Sequence, residues 1–255
     1  MVKKQPVRGP LATLTMILFS CLIVHAPAFG AVRQSSLSSS EKIIGLLEGP
    51  FQVAIDRLYK TGPTAYKDLR KISFSDQYSV KLRWKAFMAL TRIGGRDSLP
   101  EIEQALKSND WFMRNAGLLA LEQVHFMKAA RRAKKIFVQD KALLVRSKAI
   151  EVLRNSPTRK TRQLMWRELY ADKNYYRGKS LWIRNHIARF LADYGKKSDL
   201  KSFLELLQSD DLEDRDLKPL VLPAVERLLG IREKKNMGRE ARVAFWTQRL
   251  RKVLR

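Results

Sequence analysis

Apolar residues recur at spacings of three and four positions along most of the chain, which is the period of an amphipathic α-helix. The pattern runs from Ile43 almost to the C-terminus, and no sustained alternation of apolar and polar residues predicts a strand. Gly94 and Gly95 suit the end of one helix, while Ser98 and Pro100 suit the start of the next. The pattern therefore predicts an all-α protein built from short helices.

Four of these helices share one internal pattern, at residues 82–90, 113–121, 145–153 and 183–191. In each, an aliphatic residue or methionine precedes an arginine, a mostly small residue follows the arginine by three positions, and a leucine follows it by seven. The repeat arginines are Arg83, Arg114, Arg146 and Arg184, with a weaker fifth copy predicted at Arg215. Because one helical hairpin cannot bury both of its faces alone, such repeats predict a stacked array, an α-solenoid.

Two stretches, NDWFMRNAGLLALEQV at 109–124 and VKLRWKAFMALTRIGGRDSLPEIEQAL at 80–106, resemble HEAT-like repeats of the short kind. These repeats carry an aspartate in the turn, then a valine–arginine pair, then an alanine–leucine pair. That order is followed by Asp110, Met113, Arg114, Ala120 and Leu121, and less closely by Asp140, Val145 and Arg146. The resemblance covers about residues 43–230.

The resemblance implies a right-handed α-solenoid of about five HEAT-like helical hairpins, followed here by a C-terminal amphipathic helix. It also implies that the repeat arginines are structural and pair with an acid or a carbonyl of a neighbouring repeat. Ligand binding by these arginines is the alternative. HEAT-like repeats serve as scaffolds in many unrelated proteins, so the resemblance specifies a fold better than a function.

The first thirty residues have the organisation of a secretory signal peptide. Basic residues precede a mostly apolar run over 11–24, and Ala28 and Gly30 have the small-x-small spacing that a signal peptidase requires. We expect cleavage after Gly30 and a periplasmic or secreted protein. Two alternatives stay open. One is an uncleaved membrane anchor, since about 20 apolar residues span a bilayer, and the other is a lipid attached to Cys21.

Composition divides the rest of the chain into a serine-rich linker at 31–42, the solenoid at 43–230 and a basic amphipathic helix at 231–255. The chain has 50 lysine and arginine residues against 25 acidic residues, a formal net charge of +25, which favours polyanionic partners. Cys21 is the only cysteine and lies in the predicted signal peptide. The mature chain is therefore expected to have no disulfide and no thiol chemistry.

A candidate binding groove follows from basic and aromatic residues in the second helices of two repeats and in an insertion before residue 183. Its members are Arg131, Arg132, Lys134, Lys135, Arg159, Lys160, Arg162, Arg167, Tyr175 and Tyr176. We expect the second helices to line the concave surface, where these side chains would meet phosphate, carboxylate or sugar groups. The alternative is a solvated outer face, with the tyrosines packing a longer loop.

Catalytic motifs do not appear in the sequence. It contains no HExxH, no GxSxG and no phosphate-binding glycine loop, and His125 and His186 have no metal-ligand spacing. We therefore predict no catalytic residue, no cofactor, no metal site and no enzymatic activity. A minor alternative, if the chain is not exported, is a nucleic-acid-binding protein similar to the HEAT-like DNA glycosylases, although no segment matches the active-site motif of that family.

These observations together predict an exported, non-enzymatic HEAT-like repeat scaffold that binds a protein partner in the cell envelope. The alternative is a cationic module that binds an anionic envelope polymer or a membrane surface. Nucleic acid is not expected as a partner of an exported chain.

Overall fold

The computed structural model describes residues 39–62, 64–232 and 237–255, which belong to one folded unit. The predicted signal peptide, its cleavage site and Cys21 lie outside these residues, as does most of the predicted serine-rich linker. A helix already begins at Ser39, so the last four positions of that predicted linker are helical. Within the described ranges, no helix is long and apolar enough to cross a bilayer.

Helices account for nearly all of the described chain. The N-terminal helices are α1 (Ser39–Glu48), α2 (Phe51–Thr61), α3 (Thr64–Phe74) and α4 (Val80–Gly94). They are followed by α5 (Leu99–Leu106), α6 (Trp111–Val124), α7 (Phe126–Gln139), α8 (Leu143–Arg154) and α9 (Arg159–Leu169). The last helices are α10 (Ile183–Tyr194), α11 (Leu200–Gln208), α12 (Lys218–Leu229) and α13 (Arg239–Val253).

A short antiparallel hairpin, β1 (Tyr175–Tyr176) and β2 (Lys179–Ser180), interrupts the helical series between α9 and α10. Short 3₁₀ turns precede α5, β1 and α11 and follow α11. The predicted fold class is confirmed, because the described unit is an all-α solenoid of HEAT-like helical hairpins. The four repeat arginines lie near the starts of α4, α6, α8 and α10.

The helices form two layers. In the first layer, α4, α6, α8, α10 and α12 each pack against the next helix of the series, whereas α5, α7 and α9 pack mainly against first-layer helices rather than against one another. The first layer is therefore the more closely packed of the two. That the second helices line a concave surface remains a prediction.

Burial follows the same division. Most of the surface of α6 is buried, including Phe112, Met113, Ala116, Gly117, Leu118, Ala120 and Leu121. By contrast, α7 buries Ala129, Ala130, Ala133 and Phe137 and leaves a wide polar face in solvent. Close approach of α5 to α6 requires Gly117, since a Cβ atom there would lie 3.1 Å from the backbone nitrogen of Leu106.

The apolar interior forms two clusters that share α4. One cluster contains buried residues of α1, α2 and α3 together with Ala86, Ala89 and Leu90 of α4. The other begins with Phe87 and Met88 of α4 and continues to the buried residues of α13. One helix therefore supplies one wall of each core.

The C-terminal helix α13 closes the second cluster by packing against α11 and α12. It buries Trp246 and Leu250, whereas Val253 at its end is exposed. The predicted basic helix over 231–255 is thus shorter than expected, and its apolar face is covered by the solenoid.

Replacing Gly117 with valine is expected to lower the free energy of unfolding by about 1–3 kcal/mol, because the added atoms overpack the contact between α5 and α6. Gly45 in α1 is the matched control, since an added Cβ there meets no atom within 4 Å. Gly45→Val should change stability by less than about 0.5 kcal/mol, because valine forms helices slightly better than glycine. Urea denaturation measures both effects, and equal losses in the two variants would contradict the close packing at Gly117.

Candidate functional site

The repeat arginines form a ladder of contacts between neighbouring repeats. Arg83 donates to Asp110 at 3.3 Å, and Arg114 makes a bidentate pair with Asp140 at 2.7 and 2.8 Å. Arg146 donates to the side-chain oxygen of Asn174, and Arg184 donates to Asp214. Each acceptor lies in or near the turn that leads to the next first-layer helix. We call these four pairs the arginine ladder.

Each ladder arginine also donates to a backbone carbonyl of the helix or turn that precedes its own helix. These carbonyls belong to Ser73, Ser108, Phe137 and Leu169, at 3.3, 3.0, 3.0 and 3.0 Å. The guanidinium groups are thus occupied by protein acceptors on both sides. Burial differs between the repeats, with 10% of the Arg83 side chain and 18% of the Arg114 side chain exposed, but none of Arg184.

We call each arginine–acceptor pair a rung of the ladder. The third rung differs from the others because its acceptor, Asn174, is neutral. Arg146 is almost fully buried, and this burial lowers the pKa of its guanidinium group. In the second rung, the hydrogen bonds from Arg114 to Asp140 raise the pKa of Arg114. The arginine–acceptor pairs therefore share one arrangement but differ in the charge of the acceptor and in the burial of the guanidinium group.

The insertion before α10 surrounds the fourth rung. The ring centroids of Tyr175 and Tyr170 lie 4.6 and 5.3 Å from the guanidinium carbon of Arg184, and the Tyr170 hydroxyl donates to Asp214 at 3.3 Å. Burial, followed by the charge of Asp214, raises the pKa of Tyr170. Tyr175, which the sequence placed in the candidate groove, is instead half-buried against Arg184.

The sequence analysis did not predict the hairpin formed by β1 and β2. Arg177 and Gly178 adopt positive φ angles of 50° and 76°, as a two-residue hairpin turn requires. The Ser180 amide donates to Glu213 at 2.6 Å, and Lys179 pairs with the same carboxylate. Gly178, between Tyr175–Tyr176 and Lys179–Ser180, was the available signal.

The weaker fifth repeat is displaced from its predicted position. Arg215 lies in the turn before α12 and pairs loosely with Glu240 in α13 at 3.7 Å. Lys218, the first residue of α12, instead donates to the carbonyl of Ser209 in the preceding turn. That contact resembles the bond from Arg114 to Ser108, so Lys218 supplies the carbonyl contact expected of the fifth repeat.

The predicted basic and aromatic groove does not form one site. Arg162 is buried in an ion pair with Asp199 at 2.7 Å, and Arg167 pairs with Glu168. Arg159 and Lys160 are exposed at the start of α9, while Tyr176 stacks with Arg177 at the hairpin tip. Burial of Arg162 and the separation of α7 from α9 disperse the set.

Three members of that set, Arg131, Arg132 and Lys135, remain together on one face of α7. Lys128, which the sequence analysis did not include, lies on the same face, and we call these four residues the basic stripe. Glu103 of α5 pairs with Lys128 and Arg132. Burial raises the pKa of Glu103, but the hydrogen bonds from these two cations outweigh it, so its pKa lies below the ordinary value. Within the described part of the chain, Arg131, Lys134 and Lys135 have no ion pair.

The first-layer surface carries a different feature, which the sequence analysis did not identify. An exposed apolar residue stands at or just before the start of each of four successive first-layer helices, two or three positions before the ladder arginine. These residues are Val80, Trp111, Leu144 and Trp182, with exposures of 56%, 46%, 53% and 40%. We call them the apolar row. The signal that could have revealed them was an apolar residue two or three positions before each repeat arginine.

Polar contacts cross the middle of the same surface. Lys148 of α8 pairs with Glu122 of α6 at 3.3 Å, and Ser147 of α8 lies 3.2 Å from Nδ1 of His186 in α10. The ring of His186 packs edge-on against Trp182. Among the described side chains, no group of three His, Cys, Asp or Glu residues is placed to hold a metal ion.

Comparisons with known proteins agree with this architecture. The family described as HEAT repeats matches residues 67–154, which run from α3 to α8. No curated protein matches the chain. Among solved structures, the complex of CpcE and CpcF of phycocyanin lyase from Nostoc sp. PCC7120 aligns over 89% of this chain and 100% of that chain, with 16% identity and a TM-score of 0.37.

The prediction that the chain is not an enzyme is corrected by this comparison, because the aligned chain belongs to a lyase. The prediction rested on the absence of compact sequence motifs. A solenoid can assemble a site from side chains on several helices, and such a site leaves no local motif. The TM-score is too low to assign any activity to this chain.

Arg184→Ala is expected to lower the free energy of unfolding by about 3–5 kcal/mol, because it leaves the buried Asp214 carboxylate without its partner. Arg83→Ala is the matched control, since Asp76 and Asp110 retain access to solvent, and its cost should be at least about 2 kcal/mol smaller. Chemical denaturation of both variants measures the difference. A loss for Arg83→Ala as large as that for Arg184→Ala would show that burial does not control the strength of the ladder.

Proposed function

We propose that this chain is an exported repeat scaffold that binds a protein partner in the cell envelope through its first-layer surface. The apolar row is the observation that carries the proposal. Two of its four members are tryptophans, and tryptophan is enriched among the residues that dominate the energy of protein interfaces. The arginine ladder lies beside the row and holds its four side chains at the spacing of the repeats.

The spacing of the row favours a helical partner. Packed helices lie about 8–10 Å apart, so the row offers one apolar side chain at each such step. A helix that carries an apolar residue at every seventh position repeats it every 10.5 Å or so, at about 1.5 Å per residue. We therefore propose a partner helix with apolar side chains at seven-residue spacing that lies across the first-layer helices.

Charge near the row defines the partner further. Lys81, Lys107 and Lys141 are exposed in or beside the turns that lead to α4, α6 and α8, and none of them has an ion pair among the described residues. Carboxylates beside the apolar residues of the partner helix would complement these cations. The proposed partner is thus an acidic amphipathic helix.

Location in the envelope rests on the sequence. The basic and apolar segments of residues 1–24 and the small residues Ala28 and Gly30 support cleavage by a signal peptidase. The high positive charge supports contact with the anionic components of an envelope.

The basic stripe supports a second candidate, the binding of an anionic envelope polymer or membrane surface. Four cations follow one face of α7, and Glu103 is the acidic side chain paired with them. Arg131 and Lys135 point their charge into solvent, where phosphate or carboxylate groups of a polyanion can reach them.

A synthetic acidic helix with leucine at every seventh position should bind the wild-type protein, as measured by the fluorescence anisotropy of a labelled peptide. The Trp111→Ala, Trp182→Ala double variant should bind at least tenfold more weakly, because truncation of a central interface tryptophan typically costs about 2 kcal/mol or more. Tyr59→Ala is the matched control, since Tyr59 is an exposed aromatic residue of α2 outside the row. Its affinity should equal that of the wild type.

Unchanged affinity in the double variant would refute the apolar row as the binding site. Salt separates the two candidates, because the screening length falls from about 10 Å at 0.1 M to about 3 Å at 1 M. Peptide binding through the row should persist at 1 M salt. The second candidate instead requires heparin binding that is lost at 1 M salt and in the Arg131→Glu, Lys135→Glu variant.

Intact mass and N-terminal sequencing of the protein from its native cells test the export part of the proposal. The expected result is a chain that begins at Ala31 in the soluble envelope fraction. A chain that keeps Met1 in the cytoplasm would refute export and would favour nucleic acid as the partner of the positive charge.

A further inference from the structure

A cavity of about 510 Å³ lies between α11, the turn before α12, and α13. Its size is within the range of about 300–1,000 Å³ that is typical of small-molecule sites. Leu207, Val243 and Ala244 supply apolar surface to its wall. The cavity lies away from the apolar row, on helices that the proposed partner site does not use.

Four cations line this cavity: Arg215, Lys218, Arg239 and Arg251. Glu240 is the acidic residue of the lining, and its carboxylate is 3.7 Å from Arg215. Arg239 pairs with Asp216 at 2.7 Å. Even with both carboxylates counted, the positive charges exceed the negative ones by two.

Arg251 is the cation of this set that is best placed for a ligand. With the oxygen and nitrogen of the Gln208 amide exchanged, that oxygen accepts from Nε and Nη2 of Arg251, which leaves Nη1 and the second N–H of Nη2 for a ligand. Among the residues described for this unit, no carboxylate pairs with Arg251. A guanidinium group presents a planar set of donors that matches a phosphate or carboxylate in a bidentate manner.

We propose that this cavity binds a small anion, a phosphate or a carboxylate, that carries an apolar chain. The cations hold the anionic group, with Arg251 as its principal partner. Val243, Ala244 and Leu207 contact the apolar chain. The site requires α13 to be docked on the solenoid, since α13 supplies Arg239 and Arg251 as well as two of the apolar residues.

Isothermal titration calorimetry at 0.1 M salt tests the proposal with three probes: decyl phosphate below its micelle concentration, undecanoate, which carries the same decyl chain on a carboxylate, and inorganic phosphate. At least one of the two chain-bearing anions should bind the wild-type protein at least tenfold more tightly than inorganic phosphate. The better of the two identifies the anionic group. Failure of both to bind, or inorganic phosphate binding as tightly as either, would overturn the proposal.

Two variant pairs locate the binding. Arg251→Glu should weaken it at least tenfold, while Lys252→Glu, the same charge change one position along α13 and outside the cavity, should leave it within twofold. Ala244→Trp should fill the cavity and abolish binding of the chain-bearing anion, whereas Ala241→Trp, on the same helix outside the lining, should not. All four positions are exposed, so folding is preserved. Equal effects within either pair would refute this location, and neither result bears on the apolar row.

Discussion

The arginine ladder is the contact on which the order of this solenoid depends. Each repeat contacts little beyond its neighbours, so apolar stacking alone would permit adjacent hairpins to slide or rotate against one another. A guanidinium group bound at once to a carbonyl before its own helix and to a side chain before the next helix removes that freedom. The spacing of the exposed apolar row is a direct product of this constraint, because every member stands two or three residues from a rung.

Local chemistry explains which parts of the architecture were predictable. The helical period, the glycine helix end at Gly94 and the repeat arginines are visible because each depends on residues that are close in sequence. The closer packing of the first layer was not predictable, because an amphipathic pattern shows which face of a helix is buried but not which layer of helices is packed more closely. Arg162 was placed in a binding groove because its partner, Asp199, is 37 residues away and leaves no local sign.

The overall charge of the surface was predictable from the sequence, but the individual residues that form binding surfaces were not. The charge of the whole chain indicated anionic partners. Only the structure distinguishes cations that are paired with a carboxylate, such as Arg162, from cations without an ion pair among the described residues, such as Arg131 and Arg251. The cavity between α11 and α13 is built from segments about 40 residues apart, and the hairpin before α10 is too short to show alternation. The same dispersal across helices explains why a search for compact motifs was a poor basis for excluding an enzyme.

Because α4 contributes to two apolar clusters, the helices on its two sides need not unfold together. Helices α1 to α3 bury their side chains against one face of α4, and the other face belongs to the long core that continues to α13. The N-terminal helices thus form a cooperative unit that can unfold locally while the remaining helices stay folded. Opening would uncover Ala86, Ala89 and Leu90 and would break the bond from Arg83 to the Ser73 carbonyl, while the contacts of the other three ladder arginines stay intact. Amide hydrogens in this N-terminal block would therefore exchange with solvent before those of the remaining solenoid.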